Sequence, residues 1–189
     1  MGKIVRKCKV CGANYQPIRA MQTTCENFEC KVSYAEKAAK KSRAKRVAEE
    51  TKKARKRLDA MKTIPQLIAE ADRTFCAFIR RRDELAGHAC ISSGRPLDWN
   101  GNNVDAGHYR SRGAASHLRY DETNCHAQSK HDNRYLGGNI VSYRIGLIAR
   151  IGLEEVERIE NDNTPHKWTR EELQGIIETY RRKLKELKK

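Results

Sequence analysis

The sequence lacks any run of apolar residues approaching the ~18 needed for a membrane-spanning helix. Its N-terminus also lacks the apolar segment of a secretory signal, so we expect a cytoplasmic protein with no membrane partner. Apolar residues make up only 38% of the chain, which argues against one packed core for all 189 residues. In a reducing compartment, its seven cysteines are better suited to metal ligation or burial than to disulfides.

Negative charge is also scarce, since 24 Asp and Glu stand against 39 Lys and Arg, a net charge of +15. Such an excess indicates a polyanionic partner, because each neutralised phosphate releases condensed counterions. A basic protein without a nucleic-acid partner is the alternative. The clustering of the cations favours nucleic acid.

Glycine and proline are absent from residues 32–61, a segment rich in Ala, Lys, Arg and Glu. This composition predicts one long helix, and its few apolar residues leave no stripe to bury. Between Lys31 and Arg57, twelve Lys or Arg accompany three Glu. The segment is therefore either a solvated linker or an arm that contacts the DNA backbone, and its one-signed charge favours the arm.

The first thirty residues contain two close pairs of cysteines and little apolar material. Four thiolates so arranged are typical of a structural zinc site, in which the metal replaces a core that a short segment cannot build. We therefore predict one zinc ion, bound by Cys8, Cys11, Cys25 and Cys30.

The remaining chain shows helical patterns around a turn-rich centre. An amphipathic helix is predicted from Pro65 to before Gly87, and a capping box from Thr169 to Glu172 opens the last helix. We predict a mostly helical α+β fold in four parts. These are a zinc-ribbon-like module (1–31), a basic helical arm (32–62), an amphipathic helix with a ββα core (63–136) and C-terminal helices (137–189).

The central segment carries a sparse polar pattern: the DAGHY motif at 105–109, then Asn124, then Asn133. This spacing resembles the site of ββα-metal (HNH-type) nucleases. The resemblance implies that His108 is the general base, that Asn124 holds the histidine strand in place, and that Asn133 binds the catalytic metal. A structural histidine and a helix-capping asparagine are the simpler interpretations of the first two residues.

Two further residues follow from local geometry. Because strand side chains alternate, Asp105 shares a face with position 107, where related nucleases have an aspartate, so we predict it to bind Mg²⁺ or Mn²⁺. If residues 125–135 are helical, His126 lies two turns before Asn133 on one face and contacts phosphate or metal. Flanking cations predicted to bind DNA phosphates are Arg110, Arg112, Arg119, Lys130 and Arg134.

A longer series of motifs resembles the phage NinG (Rap) recombination proteins over nearly the whole chain: DAGHYRS (105–111), LRYDETNCHAQ (118–128), GGN (137–139), YRIGLIARIG (143–152) and HKWTREEL (166–173). The resemblance implies metal-dependent, structure-selective cleavage of branched DNA, such as Holliday junctions or D-loops, in the cytoplasm of a bacterial host. Symmetric junction cleavage would favour a homodimer, a question that the sequence leaves open.

The sequence departs from that family at a second zinc site. The resemblance implies two Cys-x-x-Cys pairs there, whereas this chain has Cys90, Ser93, Ser129 and Asp132, a poor zinc set, so we predict that this zinc brace is lost. Tyr135 also stands where the family often has histidine. A catalytically decayed junction-binding accessory protein is therefore the alternative function, and a zinc-ribbon transcriptional regulator, which leaves 105–133 unexplained, is a third.

Overall fold

A computed structural model describes residues 4–187 of the protein. The chain divides into two compact units, one ending at Met61 and the other beginning at Lys62. The fold is the predicted mostly helical α+β arrangement, with two small antiparallel sheets. Within the described residues, no helix is both long and apolar enough to cross a membrane.

The first unit is a two-stranded ribbon followed by one long helix. Strands β1 (Arg6–Lys7) and β2 (Asn14–Tyr15) pair antiparallel, and helix α1 spans Phe28–Met61. Cys30 is the one buried residue of α1, and it lies in the first helical turn. The helix therefore begins four residues before the predicted start, because its N-terminal end is part of the cysteine module.

The second unit contains a core built on helix α2 (Ile64–Leu85), which begins at Thr63 with a capping box to Gln66 and has Pro65 in its first turn. Helix α5 (Arg170–Glu186) begins with the predicted Thr169–Glu172 capping box. The apolar faces of the two helices pack together. Their shared core contains Leu67, Ala71, Phe75, Phe78, Ile79, Leu173, Ile177 and Tyr180.

A short hairpin-like sheet lies beside this core. Strand β3 (Val104–His108) pairs antiparallel with β4 (Cys125–Ser129), so that His108 is opposite Cys125 and Gly107 is opposite His126. A second apolar cluster joins helices α3 (Ile140–Ile151) and α4 (Leu153–Asn161) to the connection between the strands. In that cluster, the fully buried Tyr143 donates a hydrogen bond to the carbonyl of Gly107 (2.9 Å), which fixes β3 to α3.

The prediction of a helix over residues 125–135 is wrong in its first half. Residues Cys125–Ser129 form β4, and only His131–Tyr135 form a helical turn, of the π type. The physical reason is pairing: one edge of β4 pairs with β3, Ala127 on the other edge bonds to Asp83 and Ile91, and residues 125–128 are buried. Packing against α2 and α3 thus overrides the local helical pattern.

Candidate active site

A cleft of about 550 Å³ runs beside the exposed edge of β3. It is lined by residues from β3, α2, the π-helical turn and the start of α3. Three predicted site residues, Asp105, His108 and Asn133, meet there. Arg112 and Arg134 also line the cleft, which therefore combines a carboxylate, an imidazole and an amide with guanidinium groups.

His108 is held in one tautomer by its surroundings. Its Nε2 lies 2.9 Å from the carbonyl oxygen of Arg119, an acceptor, so Nε2 carries the proton and Nδ1 keeps the basic lone pair. Nδ1 lies 3.7 Å from the thiol of Cys125. Burial lowers the pKa of His108 below its ordinary value, and the bond to the Arg119 carbonyl opposes this only in part. The ring is consequently neutral at pH 7 and can accept a proton.

Asn124 is completely buried and clamps the segment that follows β3. Its Oδ1 accepts from the backbone N–H of Arg110 (2.8 Å), and its Nδ2 donates to the carbonyls of Arg110 and Leu118 (both 3.1 Å). Its own carbonyl accepts from the N–H of Tyr109 (2.8 Å). Asn124 thus fixes the backbone immediately after His108 without lining the cleft.

Asp105 and Asn133 are in direct contact, since Nδ2 of Asn133 donates to Oδ2 of Asp105 at 3.0 Å. Arg134 binds the same carboxylate, with Nε 2.7 Å from Oδ2 and Nη2 3.3 Å from Oδ1. Burial raises the pKa of Asp105, but the bonds from Arg134 and Asn133 outweigh it and the net pKa is lowered. The carboxylate is therefore ionised near neutral pH.

Asp105 and Asn133 offer oxygen donors of the type that a hard divalent cation takes, although it is Nδ2 of Asn133, and not its oxygen, that faces Asp105. A carboxylate oxygen from Asp105 and an amide oxygen from Asn133 are ligands that Mg²⁺ and Mn²⁺ accept, with an imidazole nearby in His108. The guanidinium of Arg134 occupies the carboxylate, so a cation would compete with it for the same oxygens.

His126 does not reach the cleft, contrary to its predicted role. It lies on β4, is 4% exposed, and its Nδ1 faces the guanidinium groups of Arg82 (3.2 Å) and Arg150 (3.4 Å). The buried carboxylate of Asp83 lies 3.9 Å from the same nitrogen. Burial, with Arg82 second, lowers the pKa of His126 to about 4. Its position on a strand rather than on a helix explains the error, and its role is to join α2, β4 and α3.

The five predicted phosphate-binding cations differ in position, and only Arg112 and Arg134 line the cleft. Arg110 donates to carbonyls at the end of α4, including that of Ile159 at 3.0 Å, and so caps that helix. Arg119 binds Asp72 through Nε (2.7 Å) and Nη2 (2.6 Å). Lys130 is half-buried and immediately precedes the π-helical turn.

The sequence analysis missed the contribution of α2 to the cleft. Cys76 and Arg80 line it, and Asp72 pairs with Arg112 at its margin (2.6 Å). The signal was available, because these three α2 residues recur every four positions and share one face. Cys76 packs against the α2–α5 core and is also partly exposed in the cleft, and burial raises its pKa.

The four N-terminal cysteines form the candidate zinc site. Their sulfur atoms all lie within 4.8 Å of one another, with those of Cys11 and Cys25 at 3.8 Å. Backbone N–H groups of Cys11 and Cys25 lower the pKa of Cys8 to about 6. The cluster has the size and the ligand type of a tetrahedral zinc site.

The four positions that correspond to the family's second zinc site also lie together, and three of them surround the carboxylate of the fourth, Asp132. Oδ2 of Asp132 accepts hydrogen bonds from Cys90 (3.2 Å), Ser93 (2.9 Å) and Ser129 (2.6 Å), and Oδ1 accepts one from Asn139 (3.0 Å). Burial raises the pKa of Asp132, but these four donors together lower it to about 2. A hydrogen-bonded Asp132 cluster, consisting of these five residues, thus braces the π-helical turn.

The sequence of the chain is similar to those of several known proteins. The profile of the bacteriophage lambda NinG protein matches residues 3–189. Protein ninG of Escherichia phage 933W is 38% identical over 195 residues, covering 97% of this chain and 94% of the relative. Protein ninG of Salmonella phage P22 is 43% identical over 131 residues, covering 68% of this chain and 61% of the relative. No solved structure matches the chain significantly.

Proposed function

The chain belongs to the family of the phage lambda NinG protein, and from that premise we propose that it is a metal-dependent endonuclease that cuts branched DNA during phage recombination. One observation carries the proposal: Asp105, His108 and Asn133 line one cleft together with guanidinium groups. The components of a phosphodiester-hydrolysing site are a base, cation ligands and phosphate-binding groups.

In the proposed reaction, His108 removes a proton from the attacking water through Nδ1. The Arg119 carbonyl favours this role because it keeps the proton on Nε2. Asn124 positions the histidine by holding the backbone of Arg110 from both its N–H and its carbonyl. Burial lowers the pKa of His108, so the unprotonated base should persist, and activity with it, to a lower pH than an ordinary exposed histidine would allow.

Asp105 and Asn133 are the residues that would hold the divalent cation. When bound, such a cation stabilises negative charge on the phosphate and on the leaving oxygen. Arg80 and Arg112 also line the cleft and are suited to positioning the phosphates. Arg134 would exchange its bond to Asp105 for a phosphate oxygen.

The proposal is tested with the full chain, a labelled four-way junction and a continuous duplex of equal length. We expect junction cleavage with Mg²⁺ or Mn²⁺, none with excess chelator, and little cleavage of the duplex. Asp105→Asn should raise the metal concentration required for half-maximal cleavage, because the variant loses a charged ligand. Metal-independent cleavage by the wild type would contradict the proposed chemistry.

A second function, junction binding without cleavage, is favoured by one contact. The guanidinium of Arg134 already neutralises the carboxylate that would bind the cation. In this alternative, the protein binds branched DNA through the same arginine side chains of the cleft, and it stabilises or anneals that DNA. Tight junction binding by a wild-type protein that never cuts with Mg²⁺ or Mn²⁺ would establish it in place of the nuclease.

A further inference from the structure

A group of large apolar side chains is exposed beside the cleft, around the turn that joins the π-helical turn to α3. The exposed fractions are 79% for Tyr135, 50% for Leu136, 78% for Val141 and 67% for Ile145. Ile140, 43% exposed, lies between them and also lines the cleft. We call these five residues the Tyr135 patch. Large apolar side chains exposed close together in one segment commonly mark a binding surface.

The backbone that presents this patch is rigidly held. Gly137, Gly138 and Asn139 all have positive φ angles (58°, 89° and 45°), a sequence of conformations that glycine permits at little cost. The carbonyl of Gly138 accepts from Nε2 of Gln128 at 2.6 Å, and its N–H donates to the carbonyl of Asp132 at 3.0 Å. The apolar side chains therefore have a fixed position relative to the cleft.

The charges around the patch favour nucleic acid over a protein as its partner. Arg134, with its side chain 60% exposed, immediately precedes Tyr135, and Arg80 and Arg112 lie in the adjoining cleft. A second protein chain seated on Ile140 would cover the opening of the cleft. A nucleotide can bind the cleft and the patch at once, because its phosphate suits the guanidinium groups and its base offers an apolar face to Tyr135.

We infer that the Tyr135 patch binds unpaired bases at the branch point of a DNA whose backbone lies in the cleft. The inference rests on the proposed function, since it assumes that the cleft holds phosphates. A continuous duplex keeps its bases stacked and has no free face to offer, whereas a branch point at which strands separate, as in a fork or a D-loop, exposes one. The patch would thus supply the preference for branched DNA that the phosphate contacts cannot supply.

The test compares binding of two fluorescent probes by the full chain, without divalent cations so that no cleavage occurs. One probe is a forked duplex with unpaired arms, and the other is a continuous duplex with the same number of phosphates. Tyr135→Ala should weaken fork binding roughly 5- to 100-fold, the range of one lost base–aromatic stack, and change duplex binding less than about twofold. Tyr135→Phe, which keeps the ring, should bind the fork like the wild type.

Leu153→Ala, at an exposed apolar residue of α4 outside the patch, is the matched control and should leave both affinities unchanged. Equal losses on fork and duplex, or an unchanged fork affinity in Tyr135→Ala, would overturn the inference. So would a wild-type dimer in native mass spectra that Tyr135→Ala or Val141→Ser converts to monomer, because a second copy would then occupy the patch. A failure of wild-type cleavage would instead refute the nuclease proposal and leave this binding result valid.

Discussion

Replacing Asp132 by asparagine tests whether the hydrogen-bonded cluster substitutes for a metal brace. The change keeps the shape of the side chain but removes the charge that four donors stabilise. The wild-type pKa is lowered from 3.8 to about 2, and each unit corresponds to ~1.4 kcal/mol of folding free energy, so about 2 kcal/mol depends on the ionised form. Asp132→Asn should therefore be less stable than the wild type by about 2 kcal/mol at pH 7.

The stability difference between wild type and Asp132→Asn should also depend on pH, in a direction set by the lowered pKa of Asp132. A carboxyl group whose pKa is depressed by folding contributes stability above its unfolded pKa and loses it as the pH falls through the folded value. The stability difference between wild type and Asp132→Asn should accordingly be constant from pH 7 to pH 5 and shrink from about pH 4 towards pH 2.

Urea unfolding followed by tryptophan fluorescence is a suitable assay, because Trp99 and Trp168 are the only two tryptophans and both belong to the second unit. Glu178→Gln, at an exposed position of α5, is the control and should change stability by less than about 0.5 kcal/mol. If Asp132→Asn is as stable as the wild type at pH 7, or if the difference persists unchanged at pH 3, the cluster does not stabilise the fold as described.

Four further predictions concern metals. Purified wild-type protein should contain one zinc ion per chain by elemental analysis, and Cys11→Ser should lose it; two ions in the wild type would mean a second site. Conversion of Ser93, Ser129 and Asp132 to cysteine should create, together with the native Cys90, a second site of four thiolates. The zinc content should then rise to two ions per chain; a content that remains at one would show that these positions do not converge. Treatment of the wild type with a strong zinc chelator should melt the first unit but leave the tryptophan-detected stability of the second within about 0.5 kcal/mol; a large loss there would imply a metal in its core. Arg134→Gln should bind Mn²⁺ more tightly than the wild type in a spin-resonance titration without DNA, because the variant lacks the guanidinium that competes for the Asp105 carboxylate; unchanged affinity would place the cation elsewhere.

Elements marked by local chemistry could be predicted from the sequence. The capping box at Thr169, the proline in the first turn of α2 and the apolar stripe from Leu67 to Ile79 are short-range patterns whose physics lies within one helix. The close approach of the four N-terminal cysteines followed from their spacing for the same reason.

Features that depend on distant partners could not be predicted. Residues 125–128 became a buried strand because β3 was available for pairing, which turned His126 away from the cleft and into the group formed with Arg82 and Asp83. The capping of α4 by Arg110 joins residues about fifty positions apart. The convergence of Ser93 and Ser129 on Asp132 also required the fold, although the family resemblance identified these positions as a group.

The most direct test of the central claim is cleavage and binding of a four-way junction by His108→Ala, with His131→Ala as a matched control at an exposed histidine outside the cleft. A general base acts in the transition state and not in ground-state binding. We predict that His108→Ala binds the junction within a few-fold of the wild type but cleaves it roughly 10²-fold more slowly or worse, while His131→Ala does both normally. Wild-type cleavage rates in His108→Ala would contradict the account.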